Sequence, residues 1–201
     1  MIYLRDAPCR IPDGLRFLRD IPEKHVSMID AMLMRNVNCF ETSSCGRPFD
    51  AVASLIGLRQ EVNFEGQAAI ELEMIADSSV SERYPYSIID GDPCQLDMRS
   101  MVDEIVRDIS HNVSLGHIAA RFHNTIAAMV IEVCERIRRQ EKLERVCLSG
   151  GTFQNMYLLE RAVTGLRQEA FEVYLHSVVP QNDGGISLGQ AMIANEILRK
   201  A

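Results

Sequence analysis

The sequence predicts a helix-rich α/β protein with a small sheet. Near the C-terminus, the apolar run 145–148 leads through a Ser-Gly-Gly-Thr turn into a helical pattern, and the run 171–175 leads through a second glycine-containing turn, 179–185, into another. Alternation of strand, glycine turn and helix is typical of parallel α/β packing. Most other apolar residues recur at helical spacing, above all in the long segment that begins at Ser114.

Size, charge and composition indicate a globular chain. It has 201 residues, 47% hydrophobic and 24% charged, with a formal net charge of −7. That acidic balance argues against a broad nucleic-acid footprint, which needs a clustered basic face. No apolar run approaches the roughly 20 residues that span a bilayer, and the first residues, MIYLRDAPCR, mix acid and base unlike a secretory signal. We therefore expect a cytoplasmic protein with neither membrane nor nucleic-acid partners.

The elements follow one another without an obvious linker. Residues 1–21 contain a Pro-Asp-Gly turn and are expected to form an irregular lead-in, and 22–201 a single lobe. Gly57 suits a helix C-cap and Ser114 an N-cap. The segment 84–93 is predicted to be extended and to end in an Asp-Gly-Asp-Pro turn. Apolar spacing predicts helices over 23–35, 48–57, 67–76, 98–109, 114–140, 155–167 and from the second glycine turn to Arg199.

The cysteine pattern predicts free, reduced cysteines and no structural zinc site. None of the six forms a C-x-x-C pair, and no four residues have the spacing of a structural zinc site. Reduced cytoplasmic thiols are the expectation, and a disulfide framework is the alternative. Cys134 and Cys147 lie in apolar segments and are predicted to belong to the core.

The turn at Gly150 and Gly151 is the first candidate site. Ligands of open α/β sheets bind beyond the carboxyl ends of the strands, and glycines followed by a helix allow an anion to approach the backbone. The pattern is neither a P-loop, nor a dinucleotide fingerprint, nor the nucleophile elbow in which Ser149 would need flanking glycines. The alternative is a tight turn with no ligand.

The second turn places Asp183 at the start of the last helix. This carboxylate is interpreted either as an N-cap or as a cation ligand that faces a phosphate. Both turns are expected to open on the same edge of the sheet. Asp183 is therefore expected to lie near whatever Gly150 and Gly151 bind.

Three further positions have competing interpretations. Asp50 lies in the first predicted helical turn after Pro48. Its carboxylate either has a functional role or only compensates the helix dipole. The Phe-Glu-Gly-Gln turn at Gly66 and Gln67 precedes a helix and suits an ordinary cap. His123 lies six residues after another histidine on one helix, a spacing that does not form a chelating pair, so we predict a packed or hydrogen-bonded side chain.

Five segments resemble the C-terminal part of the HypF-type carbamoyltransferases, which mature nickel–iron hydrogenases. They occur in the family's order between about residue 38 and residue 195 and together identify the chain as a member of that family. The segments are SSCGRPFDAVASLIGL, NFEGQAAIELEMIA, IAARFHNTIA, LSGGTFQN and VPQNDGGISLGQAMIA.

This resemblance implies a fold and an activity. The implied fold is a helix-rich lobe with a small mixed sheet, from the superfamily of acetate and sugar kinases, Hsp70 and actin, similar also to the TsaD tRNA threonylcarbamoyl transferases. The implied whole enzyme uses carbamoyl phosphate and ATP, binds carbamoyl-adenylate and a divalent metal, and transfers the carbamoyl group to the C-terminal cysteine of HypE. The product leads to the cyanide ligands of the hydrogenase iron. A homodimer is a further expectation.

The resemblance also implies roles for individual residues, although it assigns no catalytic residue. Asp50 matches an aspartate that contacts the ribose, and Asp183 matches a ligand of the metal. The positions implied along the nucleotide are Asp50, Gly66, Gln67, Gly150, Gly151 and Asn155.

The chain departs from the family in two ways. Cys45 stands where methionine is usual, and we interpret it as a core substitution; Pro48 stands where leucine is usual. The chain also lacks the acylphosphatase-like, zinc-binding and adenylate-forming parts, and the first lobe with its H-x-x-x-H metal ligands. Asp183 alone cannot hold a catalytic metal, so we expect a C-terminal fragment that is inactive by itself.

These observations leave three hypotheses about the function of the chain. The first is the nucleotide-side lobe of a carbamoyltransferase. The second is a non-catalytic interaction lobe that contacts HypE or a second copy of itself. The third is a relative that carbamoylates the hydroxyl group of a small molecule.

Overall fold

The computed structural model describes residues 21–40 and 42–200, so the lead-in predicted over 1–21 lies outside the described residues except for Ile21. The chain divides into two compact units, with the boundary between Thr125 and Ile126. That boundary falls inside one continuous helix, Leu115–Glu141, so no linker separates the units. The prediction of a single lobe over 22–201 stays a prediction.

The first unit consists of helices and one hairpin. Between its third and fourth helices, β1 (Ser87–Ile89) pairs antiparallel with β2 (Gln95–Asp97). The predicted extended segment over 84–93 and its turn are thus confirmed. The sequence analysis missed β2, because three residues are too few to show the alternation of apolar and polar side chains in a strand. The helices are α1 (Glu23–Arg35), α2 (Gly46–Leu55), α3 (Gln67–Met74), α4 (Arg99–Ser110) and the first part of α5 (Leu115–Glu141).

Local capping explains where two of these helices end and begin. Gly57 has a φ of 75° and donates its N–H to Ser54 O at 3.0 Å, so it terminates α2 in the left-handed region that glycine tolerates. The Ser114 hydroxyl oxygen accepts from the His117 N–H at 3.2 Å and caps α5. Both capping predictions are confirmed.

An aromatic cluster lies in the core of the first unit. The ring of Phe49 packs edge-to-face on Phe122, with centroids 4.8 Å apart, and on His123, with centroids 5.3 Å apart. His123 is fully buried, and its Nδ1 lies 2.7 Å from Ala119 O. Burial lowers the pKa of His123 to about 4, so the ring is neutral near pH 7. The prediction of a packed histidine is confirmed.

The second unit contains the predicted alternation of strand, turn and helix. After α5 come β3 (Arg145–Leu148), α6 (Met156–Gln168), β4 (Glu172–Leu175) and α7 (Ile186–Lys200). A short 3-10 turn precedes each of the last two helices. β3 and β4 are parallel, with Val146 opposite Val173 and Leu148 opposite Leu175.

One face of the β3–β4 pair is covered by helices. Residues of α6 and α5 form an apolar cluster with the strand pair. Its buried members are Leu148, Leu159, Ala162, Leu166 and Phe171. Ile131 and Cys134 of α5 pack against this cluster. A Cβ at Gly165 would lie 2.2 Å from Ile131 Cδ1, so the absent side chain there permits the close approach of α6 to α5.

Three predictions, one about the sheet and two about cysteines, are wrong. The sheet is not one mixed sheet: the described residues contain one antiparallel and one parallel pair, each of two strands. Cys147 is exposed, because strand side chains alternate and its neighbours Val146 and Leu148 point to the covered face. Cys45 is exposed as well and is no core substitution, whereas Cys134 is partly buried.

Among the described helices, none is long and apolar enough to cross a membrane.

Candidate functional site

The turns after β3 and β4 lie side by side. The Gly150 N–H donates to Gln181 O at 2.8 Å, and Gln181 Nε2 donates to Phe153 O at 2.7 Å. Both loops leave the carboxyl ends of parallel strands, which meet at one edge of a sheet. The prediction that the two turns open on the same edge is confirmed.

The two adjacent glycines have different structural requirements. Gly150 has a φ of 104° and a ψ of 159°, a region open essentially to glycine alone. Gly151 has no positive φ, and a Cβ added there would meet only Gln154 Oε1, at 3.9 Å. The backbone therefore explains the glycine at 150, while nothing in the turn itself requires one at 151.

The turn offers hydrogen-bond donors to an anion. The N–H groups of Gly151 and Thr152 have no acceptor among the described residues, and both lead into α6, a helix of 13 residues. Unsatisfied N–H groups and the positive end of the helix dipole favour negative charge at such a position.

Asn155 caps α6. It is 9% exposed, and its Oδ1 accepts from the Leu158 N–H at 2.8 Å. This bond gives the residue a structural role. Its predicted contact with a nucleotide stays a prediction.

Asp183 is not an N-cap. The neighbouring Asn182 caps the 3-10 turn that precedes α7, because its Oδ1 accepts from the Gly184 N–H at 3.1 Å. The Asp183 side chain is exposed and makes no hydrogen bond or ion pair with the described residues. The capping interpretation of Asp183 is therefore wrong, and its carboxylate is available to a ligand.

The described residues do not make a complete metal centre. They contain no group of three or more histidine, cysteine, aspartate or glutamate side chains that could hold a metal ion. A hard cation such as Mg²⁺ prefers about six oxygen ligands, of which the carboxylate of Asp183 supplies two at most. The role of Asp183 as a metal ligand therefore stays a prediction.

Asp50 lies in the first unit, in the second turn of α2. That helix begins at Gly46, two residues earlier than predicted, so no acidic residue occupies its first turn. The helix dipole acts mainly within the first turn, so dipole compensation is a weak explanation for Asp50. Partial desolvation raises the pKa of this carboxyl, and the charge of Arg47 opposes the rise.

Gly66 and Gln67 begin α3 in the same unit. Gly66 has a left-handed φ of 78°. The buried side chain of Gln67 accepts from the Asn63 N–H at 2.8 Å and donates to Glu71 Oε1 at 2.9 Å. These bonds tie the preceding loop to the helix, as a cap does. The predicted nucleotide contacts of both residues stay predictions.

The predicted site residues thus fall into two groups. The second unit contains Gly150, Gly151, Asn155 and Asp183, and the first contains Asp50, Gly66 and Gln67.

The sequence interpretation missed one polar pair. Ser149 Oγ lies 2.8 Å from His176 Nε2, and each residue directly follows a strand of the parallel pair. Spacing along the chain hides this pair, because 27 positions separate its members. Alignment of the two strands at their final leucines, Leu148 and Leu175, would have revealed it.

Comparison with known proteins identifies similar sequences and a similar structure. The family model described as "Carbamoyltransferase, Kae1-like Domain, second subdomain" matches residues 3–190. Carbamoyltransferase HypF of Synechocystis is 39% identical over 153 residues, which cover 75% of this chain and 19% of the relative. A HypF homolog of Cupriavidus necator is 31% identical over 188 residues, which cover 90% of this chain and 48% of the relative.

A solved structure of full-length HypF, in a phosphate- and nucleotide-bound form, is 43% identical to this chain with a TM-score of 0.86. The match covers 90% of this chain and 24% of that protein. The chain thus spans between about a fifth and a half of the length of these relatives.

Proposed function

The chain belongs to the HypF-type carbamoyltransferases, matching the second subdomain of their Kae1-like domain, and we propose that it is the nucleotide-side lobe of such an enzyme. One observation carries the proposal: the Gly150 turn and the Gln181 loop are hydrogen-bonded to each other beside Asp183. Backbone donors for a phosphate and a carboxylate for its cation therefore lie on neighbouring loops.

The ligand of this lobe is ATP or carbamoyl-adenylate. The N–H groups of Gly151 and Thr152 suit a phosphate, and the bare Cα of Gly151 leaves room for it. The alternation of β3, α6, β4 and α7 is compatible with a lobe of the acetate kinase, Hsp70 and actin superfamily. The similar HypF structure is a phosphate- and nucleotide-bound form, which supports the same ligand class here.

The reaction of the complete enzyme is carbamoyl transfer to sulfur. The thiol of the C-terminal cysteine of HypE attacks the carbamoyl carbon, a C–S bond forms, and the C–O bond to the phosphate of AMP breaks. The thiol proton is released, and AMP leaves with its negative charge on the phosphate. Donors at that phosphate favour the step because they stabilise the leaving group. We place the reaction in the cytoplasm, on the path to the cyanide ligands of hydrogenase.

The exposed surface of α7 supports the proposal that the chain is one part of a larger module. Every residue of this helix is exposed, and several are large and apolar. Apolar surface of this extent is normally covered by another protein segment. The apolar members are Ile186, Leu188, Met192, Ile193, Ile197 and Leu198.

The test compares the 201-residue chain with a chimera in which it replaces the matching segment of Synechocystis HypF. We expect the chain to unfold cooperatively but to transfer no carbamoyl group from carbamoyl phosphate and ATP to HypE. The chimera is expected to transfer it. Turnover by the chain alone would contradict the fragment proposal, and an inactive but folded chimera would contradict the carbamoyltransferase proposal.

The exposed face of α7 also favours a second candidate, an interaction lobe without chemistry. Such a lobe would bind HypE, or a second copy of itself, through that face. Sedimentation of the chain with and without HypE distinguishes the two candidates. Stable complex formation by the chain, together with an inactive chimera, would support the interaction lobe.

A further inference from the structure

We propose that Ser149 and His176 form a paired hydrogen-bond donor for the phosphate of the bound nucleotide. Ser149 is the residue in contact with the phosphate, and His176 is a positioning residue that acts through it. The inference rests on the proposed nucleotide-binding function and adds two residues to that site. It starts from the 2.8 Å distance between Ser149 Oγ and His176 Nε2.

The backbone determines where the two side chains meet. Immediately before them, Leu148 and Leu175 are partners in the parallel register of β3 and β4. Immediately after Ser149, the Gly150 N–H donates to Gln181 O at 2.8 Å. Pairing on both sides of Ser149 therefore holds the two chain segments together at this point.

Folding does not require the pair. Both Ser149 and His176 are exposed, so water could satisfy either side chain equally well if the other were absent. An exposed hydroxyl–imidazole bond beside an anion-binding turn is better explained by its effect on a ligand.

The chemistry of the pair suits a phosphate oxygen. In the tautomer with its proton on Nε2, the imidazole donates to Ser149 Oγ, and the serine O–H is then free to donate to a ligand. The N–H groups of Gly151 and Thr152, two and three positions further along the chain, have no acceptor among the described residues. Ser149 thus adds a third, side-chain donor to two backbone donors.

The experiment titrates the isotope-labelled 201-residue chain with AMP and, separately, with adenosine, and follows the backbone amide signals by NMR. The variants are Ser149→Ala, His176→Leu and His176→Gln. Ser177→Ala is the matched control, because Ser177 is also exposed and lies next to His176. Thermal unfolding of each variant checks that the fold is retained.

We expect Ser149→Ala and His176→Leu each to weaken AMP binding about tenfold and to leave adenosine binding unchanged, because only AMP carries the phosphate. The double variant should be no weaker than either single variant, since the two residues act as one donor. His176→Gln should restore most of the affinity, because the glutamine amide also donates a hydrogen bond. Ser177→Ala should bind like the parent.

The outcomes separate the two proposals. A parent chain that binds neither AMP nor adenosine would overturn nucleotide binding by this lobe, and the pair with it. A parent that binds AMP, with unchanged affinity in folded Ser149→Ala and His176→Leu, would overturn the pair alone. Equal losses for AMP and adenosine would likewise overturn it, because the effect would not concern the phosphate.

Discussion

The backbone N–H of Gly150 donates to the carbonyl oxygen of Gln181 at 2.8 Å. Through this bond the turn after β3 and the loop after β4 form one surface, although 31 positions separate the two residues. Gln181 Nε2 strengthens the connection by donating to Phe153 O. Changes in either loop are therefore expected to affect the other.

The two glycines of the first turn should respond differently to alanine. Gly150→Ala forces an alanine to a φ of 104° and should lower the free energy of unfolding by about 1–3 kcal/mol. Gly151→Ala should change it by less than about 0.5 kcal/mol, because the new Cβ meets no backbone. Gly151→Ala should nevertheless weaken AMP binding. Urea unfolding and the AMP titration measure both quantities, and similar stability losses at the two positions would contradict this account.

Asn182 and Asp183 should separate capping from ligand binding. Asn182→Ala removes the bond to the Gly184 N–H and should cost about 0.5–1 kcal/mol of stability. Asp183→Asn should leave stability nearly unchanged in the 201-residue chain. In the active chimera it should abolish carbamoyl transfer to HypE and reduce metal content, because a hard cation needs the negative charge. Parental transfer and metal content in Asp183→Asn would refute the metal assignment.

His123 should make the stability of the fold depend on pH. Its pKa is about 4 in the folded chain and about 6.5 when unfolded. The unfolded state alone takes up the proton between these values, so the free energy of unfolding should fall as pH drops from about 6.5 to 4. The contribution is about 3 kcal/mol.

An NMR titration of the His123 ring measures its pKa in the folded chain directly. A midpoint near pH 6 would contradict the lowered pKa. Urea unfolding of His123→Leu is the companion experiment. This variant should lose the part of the pH dependence that lies between pH 6.5 and 4, whereas His25→Asn, at an exposed site, should retain it.

Asp108 should be important for the stability of the first unit. Its Oδ2 accepts from the Tyr84 hydroxyl at 2.7 Å and from Arg121 at 2.6 Å, and the Arg121 guanidinium lies 4.0 Å from the centre of the Tyr84 ring. Asp108→Ala leaves both partners without their acceptor and should cost about 2–3 kcal/mol. The control is Glu104→Gln on the same helix, whose exposed pair with Arg107 contributes less than about 0.5 kcal/mol.

Tyr84→Phe removes only one of the two bonds to Asp108 and should cost about 1 kcal/mol. The three variants are compared by urea unfolding at neutral pH. Equal effects of Asp108→Ala and Glu104→Gln would show that this partly buried network adds nothing beyond a surface ion pair.

Local patterns in the sequence predicted every described helix and three of the four described strands, in their order. Helical spacing gave α1 over the predicted residues, and the caps at Gly57 and Ser114 depend only on neighbours a few positions away. That the turns after β3 and β4 open on the same edge was predictable for a similar reason. Two consecutive strand–turn–helix units form a parallel pair, and parallel strands end at the same edge.

Only the tertiary structure decided which side chains perform which tasks. Cys147 is exposed because helices cover one face of β3, and an apolar run of four residues does not reveal how many faces are covered. Asn182, and not Asp183, caps the 3-10 turn before α7, because the Asn182 Oδ1 is the atom that accepts from the Gly184 N–H. Ser149 meets His176 through the strand register, which is a contact between distant residues and leaves no spacing signal along the chain.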